Sequence, residues 1–183
     1  NAPVCLGASV NFTNTGTNGV GVSYKWDFGT GSTPGKSTVQ NPSGITYSFA
    51  GSNIITFSIV NQFGCTSSAT QSITINKTPV SDFATTAPKC TGIGVDFTYS
   101  GGSTGITSYD WTFTGGAPAT SSTASQNGVT FASPGNKTIQ LIVKINTCSD
   151  TISKIIAINQ TPVATISSSA GTVCAGTTLD FTY

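Results

Sequence analysis

Hydrophobic and polar residues alternate along this chain in short, separated runs. Val95 and Phe97 flank Asp96, and Tyr109, Trp111 and Phe113 take every second position of "SYDWTF". Ile139, Leu141, Val143 and Ile145 follow, and then Ile156 and Ile158. A period of two puts one face of a strand in a core and the other in water. Clusters of Gly, Ser, Asn and Pro such as "GGSTG" and "SPGN" separate the runs and predict turns. Helical periodicity is absent, and short strands joined by tight turns predict an all-β sandwich.

The pattern occurs twice and begins a third time. "CLGASVNFT" from Cys5, "CTGIGVDFT" from Cys90 and "CAGTTLDFT" from Cys174 share a C-x-G spacing, at offsets of 85 and 84 residues. "SYKWDFGTG" from Ser23 returns as "SYDWTFTGG" from Ser108, and "INKTPV" ending at Val80 returns as "INQTPV" ending at Val163. Three markers in one order at one period define a repeat of about 84 residues, the size of a small independent β domain. The expected units are residues 1–77, lacking a first strand; residues 78–160, complete, with a first strand in "VSDFAT"; and residues 161–183, the first strands of a third, truncated repeat. The chain thus reads as a window on a longer array. Tyr24, Trp26 and Phe28, with Tyr109, Trp111 and Phe113, are expected in the cores. Rings in register on a strand supply hydrophobic burial, whereas a sugar-stacking Trp would stand alone on a loop or outer face.

Composition narrows the function. All 7 cations are Lys and all 6 acids are Asp, with no Arg, Glu, His or Met. Good helix formers are therefore scarce, and Thr, Ser, Val, Ile, Gly and Asn favour strands and turns. A net charge of +1 without arginine argues against a nucleic-acid partner. No apolar run approaches the ~20 residues of a membrane span, so no membrane insertion is expected. The aspartates (Asp27, Asp82, Asp96, Asp110, Asp150 and Asp180) have no Glu or His companion for acid–base or triad chemistry. The chain is expected to be no enzyme and to carry no cofactor. Asp96 and Asp180 are expected on solvated strand faces.

"YKWDFGTG" followed by "YSFAGSNIITFSIVNQFGC" resembles the signature of the PKD (polycystic-kidney-disease) domain. That family has an aromatic-x-Trp-Asp-Phe-Gly-Asp-Gly strand and turn, and later Tyr, Gly and an alternating strand. "YDWTFTGG" departs from it by losing the Asp after Trp, while "VTFASPGNKTIQLIVKIN" keeps the later strand. The resemblance implies tandem immunoglobulin-like (PKD-type) β-sandwich domains. With the added C-x-G and a second Cys near "FGC", the units are similar to repeats in very large type IX-secreted surface and adhesin proteins of gliding bacteria, which implies an extracellular or cell-surface place. Some PKD modules bind calcium through acidic residues. Asp27 keeps one such position, but Thr30 and Gly115 stand where the family's second Asp would be, so no metal is expected.

Each full unit has one cysteine before its second strand (Cys5, Cys90) and one after its long alternating strand (Cys65, Cys148). The expected pairs are Cys5–Cys65 and Cys90–Cys148, each closing a loop of about 60 residues and contributing ~4 kcal/mol. Cys174 is expected to have its partner outside the chain. In a simple immunoglobulin topology these positions need not lie at one end of the sandwich, so pairing across units, such as Cys5 with Cys148, is the alternative. Disulfides imply an oxidising compartment. Asn11, Asn76, Asn136 and Asn159 head Asn-x-Thr triplets, and "DTI" around Thr151 resembles the O-glycosylation acceptor of the bacteria named above.

Repetition, disulfides and an uncharged Ser/Thr/Asn surface predict a structural or adhesive, non-catalytic segment of a long extracellular repeat protein: a stalk, filament or adhesin shaft. Its partners would be neighbouring repeats of the same chain and other copies in a filament. The alternative is a pair of accessory, substrate-holding modules of a secreted hydrolase. That reading calls for a row of exposed aromatics, for which Tyr99 is a candidate.

Overall fold

The computed structural model describes residues 3–16, 19–168 and 171–182; Asn1 and Tyr183, the expected limits of the first and third units, lie outside them. The described residues form strands and turns without a helix.

A first five-stranded sheet runs Val4–Cys5, Thr66–Asn76, Gly51–Val60, Ser23–Asp27 and Lys36–Ser37 from edge to edge. Its centre is a long hairpin paired from Gly51 opposite Ile75 to Val60 opposite Thr66. Trp26 stands opposite Phe57 on that hairpin. Across the core lie the bridge between Val10 and Ile45 and the short pair Ser32–Thr33 with Thr46–Tyr47. The arrangement recurs further along. A second five-stranded sheet runs Thr120–Ser121, Ser108–Phe113, Gly135–Ile145, Cys148–Asn159 and Lys89–Cys90, with Trp111 opposite Leu141. It faces a four-stranded sheet of Gly116–Ala117, Ser125–Phe131, Val95–Tyr99 and Phe83–Thr85.

The period-two pattern explains both cores. Phe12, Trp26, Phe28, Ile45, Tyr47, Ile55, Ile73 and Ile75 form one cluster. Phe83, Val95, Phe97, Trp111, Phe113, Val129, Phe131, Ile139, Leu141, Val143, Ile156 and Ile158 form the other. Trp26 and Trp111 are buried and Tyr24 and Tyr109 half-buried at the margins. Each buried large side chain stabilises by roughly 1.5–3 kcal/mol. Both indoles donate to the crossing segment, Trp26 Nε1 to the Val39 carbonyl at 3.0 Å and Trp111 Nε1 to the Thr123 carbonyl at 2.8 Å. A buried indole N–H needs such an acceptor.

The C-x-G spacing is a turn. Ala8, Ile93 and Thr177 each donate a backbone N–H to the carbonyl of the cysteine three residues earlier, at 2.9, 3.1 and 3.2 Å. The glycines between, Gly7, Gly92 and Gly176, have φ of 89°, 79° and 89°. A positive φ at the third position of a four-residue turn is strained for a residue with a Cβ, which is why glycine stands there.

Candidate functional site: a clasp between two cores

Two positions carry the cysteines, and the strands fix both. Cys5 runs parallel to the end of the last strand of the first sheet, opposite Asn76. Cys90 takes the same place in the second sheet, opposite Asn159. Cys65 and Cys148 each follow the turn of the long hairpin, at its other end. Cys148 stands opposite Ile145, and the Asn61 N–H donates to the Cys65 carbonyl at 3.0 Å. From Cys148 to Asn159 the strand is 12 residues long. At about 3.3 Å per residue it holds the two positions of one sheet roughly 36 Å apart. A disulfide needs Cα atoms within about 7 Å.

The expected pairs Cys5–Cys65 and Cys90–Cys148 are therefore corrected. The structure joins Cys5 to Cys148, with Cα atoms 5.6 Å apart and a sequence separation of 143. The bond crosses from the C-terminal end of the first core to the hairpin end of the second. Cys65, Cys90 and Cys174 are not in a disulfide. Cys148 is fully buried, whereas Cys65, in the equivalent place on the first hairpin, is exposed.

The chain leaves each core in the same way. The Leu6 N–H donates to the Asn76 carbonyl at 2.8 Å and the Thr78 hydroxyl to the Leu6 carbonyl at 3.0 Å. One repeat later the Thr91 N–H donates to the Asn159 carbonyl at 2.9 Å and the Thr161 hydroxyl to the Thr91 carbonyl at 2.9 Å. The first two C-x-G turns thus tie down the connectors that follow their own cores. Pro79 and Pro162, next along, fix φ and hold their predecessors extended.

The second core is closed beside the clasp by its edge strand. Phe83 is buried, 5.2 Å from the Trp111 ring and 6.1 Å from that of Phe97. Asp150, two residues beyond Cys148, accepts from both the N–H and the hydroxyl of Ser81 at 2.7 Å, which holds its carboxyl below the usual aspartate value. Lys154 donates to the Phe83 carbonyl and pairs with Asp82, both at 2.6 Å, and its ammonium lies 4.7 Å from the Phe83 ring centroid. The Lys154 hydrogen bond, with one from the Phe83 N–H, lowers the Asp82 pKa. In the first core Ser67, Ala69 and Gln71 stand on the hairpin where the second has Asp150, Ile152 and Lys154. There an open cleft of about 650 Å3, floored by Phe12, Trp26, Ile55 and Phe57, takes the place of the edge strand.

The other expected residues are scattered. Asp27 Oδ1 accepts from the Gly29 N–H at 3.1 Å and its Oδ2 lies 3.8 Å from the Lys36 ammonium, so the carboxylate shapes the glycine turn. Among the described residues no group of three acidic or cysteine side chains converges on a point. Thr151, Asn11, Asn136 and Asn159 are exposed and Asn76 is half-buried. Asp96, expected to be merely solvated, accepts from the Gly128 N–H at 2.8 Å, and Asn11 does the same for Gly44 at 2.9 Å. The shared Asn/Asp position was the signal for this second role. Asp180 is exposed. Tyr99 is half-buried against Tyr109, and its hydroxyl donates to the Val80 carbonyl at 3.0 Å, so it closes the unit and offers no free ring. Among the described residues no helix is long and apolar enough to cross a membrane.

Residues 1–75 match the family model of the PKD domain. The comparison with curated proteins returned no match. Among solved structures, the fibronectin(III)-like modules of Clostridium thermocellum CbhA are 14% identical over 86% of this chain and 89% of theirs, with a TM-score of 0.40. Murine CEACAM1b is 11% identical over 87% of this chain and 96% of its own, with a TM-score of 0.43.

Proposed function

We propose that this chain, whose first 75 residues match the PKD family, is a stretch of the shaft of a long extracellular repeat protein, a spacer that carries load between a cell surface and whatever its tip meets. A β-sandwich of this class suits a structural or adhesive role. The observation that carries the reading is the Cys5–Cys148 bond, which ties one core to the next instead of stapling a core to itself.

The bond changes where tension goes. Force applied at the two ends enters at Cys5, crosses the disulfide to Cys148, runs the length of the strand to Asn159 and leaves through Gln160. The residues between the two cysteines, 6–147, sit outside that path, held by a covalent bond and not by hydrogen bonds. Such a connection also limits the swing between the cores, which a spacer needs to keep its length.

Small-angle scattering tests the reading. Two sandwiches of roughly 35–40 Å stacked end to end, from strands of about 3.3 Å per residue, give a rod-like profile. A compact profile counts against a shaft. Saturable micromolar binding of a polysaccharide or collagen by this chain, abolished by one surface substitution, would favour accessory modules of a hydrolase instead.

A further inference from the structure

The bonded pair defines a rule that the remaining cysteines can be read against. Cys5 sits in a C-x-G turn beside the end of its own last strand, and Cys148 follows the hairpin turn of the next unit. Cys90 occupies the first of these positions in the second unit, opposite Asn159, with the same backbone turn and the same glycine conformation as Cys5. Cys65 occupies the second in the first unit. Neither is in a disulfide, and they belong to opposite ends of their cores. Thr161 leaves the second core through the same contacts by which Thr78 leaves the first. A sandwich built on from Thr161 as the second is built on from Thr78 brings its hairpin turn to Cys90.

We infer that Cys90 and Cys65 are the two halves of further inter-repeat clasps: Cys90 bonds the hairpin cysteine of a repeat that follows it, and Cys65 bonds the C-x-G cysteine of a repeat that precedes it. The partner in each case is another repeat of this kind, recognised by position and not by loose thiol chemistry. Every unit would then carry two disulfides, one to each neighbour and none within itself. Cys174, in the third C-x-G turn, belongs to the Cys90 class. Each bond forms when a thiolate of the pair attacks a small-molecule disulfide and releases one thiolate, and the second protein thiolate then attacks the protein sulfur of the mixed disulfide and displaces the other. The protein loses two protons and two electrons, and the oxidant leaves as two thiols. The inference rests on the shaft reading only for its use, not for its geometry.

The test duplicates the second unit inside the chain, with a copy of residues 78–160 inserted between Gln160 and Thr161, so that both joins keep the Gln-Thr-Pro connection. The protein is refolded in glutathione and oxidised glutathione, its free thiols are alkylated, and it is digested without reduction. Two cross-linked peptide pairs are expected: Cys5 with Cys148, and Cys90 with the copied Cys148. Cys65, Cys174 and the copied Cys90 should alkylate. Cys90 alkylated while Cys5–Cys148 is intact, or Cys90 joined to Cys65 or Cys174, overturns the inference. Should the insertion fail to fold, shown by loss of the Cys5–Cys148 peptide, the same digest is made on the chain continued past Tyr183 with a copy of residues 100–160. The unextended chain gives a second check, since a Cys65–Cys90 bond within it also overturns the rule. The shaft reading fails separately. A duplicated chain with the expected peptides but a compact scattering profile removes the shaft and keeps the clasps, and a rod with Cys90 alkylated does the reverse.

Discussion

Replacing Cys5 and Cys148 together by serine isolates the contribution of the clasp. With the first core folded, parallel pairing pins Cys5 beside Asn76, so the loop that the bond closes when only the second core unfolds runs from Asn76 to Cys148, 148 minus 76 or 72 residues. The loop-closure relation gives about 4 kcal/mol for that length. For a core of this size one kcal/mol moves the midpoint by about 4–8 °C, so the double variant should melt roughly 15–30 °C lower. The first core gains similarly, since Ser81 is held by Asp150, near the other end of the bond. Differential scanning calorimetry with tryptophan fluorescence reads both transitions, because each core holds one indole. Cys65→Ser, which removes an exposed unbonded thiol, should leave the midpoint in place. A shift under about 5 °C, or about 1 kcal/mol, for the double variant, or an equal shift for Cys65→Ser, refutes the reasoning.

Phe83→Ala should destabilise the second core by roughly 3–5 kcal/mol, because it empties the space over Trp111 and Phe97; urea denaturation followed by fluorescence measures it. Tyr47→Phe removes a buried hydroxyl that donates to the Phe28 carbonyl at 3.1 Å and should cost the first core about 1 kcal/mol in the same experiment. Asp82 and Asp150 both titrate below 3.8 in the folded protein, so their contribution is present above that value and is lost as pH falls through their lower folded values. Thermal midpoints should therefore drop below about pH 4, and Asp150→Asn should flatten that drop. A profile equally steep in the variant counts against the Ser81 contact as its source.

Alternation made the strands readable because period two is a local property. Trp111, Phe113, Ile139, Leu141 and Val143 mark one buried face whatever the topology, and the repeat located the counterparts of the first two at Trp26 and Phe28. The disulfide is a property of the whole arrangement. Two cysteines in each full unit pointed to Cys5 with Cys65, but a parallel edge strand sends Cys5 to the far end of the hairpin from Cys65, and only the next core brings a cysteine within reach. The roles of Ser81, Asp150 and Lys154 were equally hidden, since their partners lie about 70 residues away and the first unit has different residues there. Asp96 and Asn11 could have been found, because a shared short acceptor facing a shared glycine at both repeats is a recognisable signal.

Stretching one molecule between its ends tests most directly whether tension bypasses the residues between Cys5 and Cys148. With the clasp intact only the residues outside it can be drawn out, 183 less 142 or 41 residues, which at about 3.5 Å each is about 14 nm. Adding a reductant to the held molecule should then release a further length of about 50 nm from the residues between Cys5 and Cys148. Extension beyond about 14 nm before reduction, or no added length after it, would contradict the account.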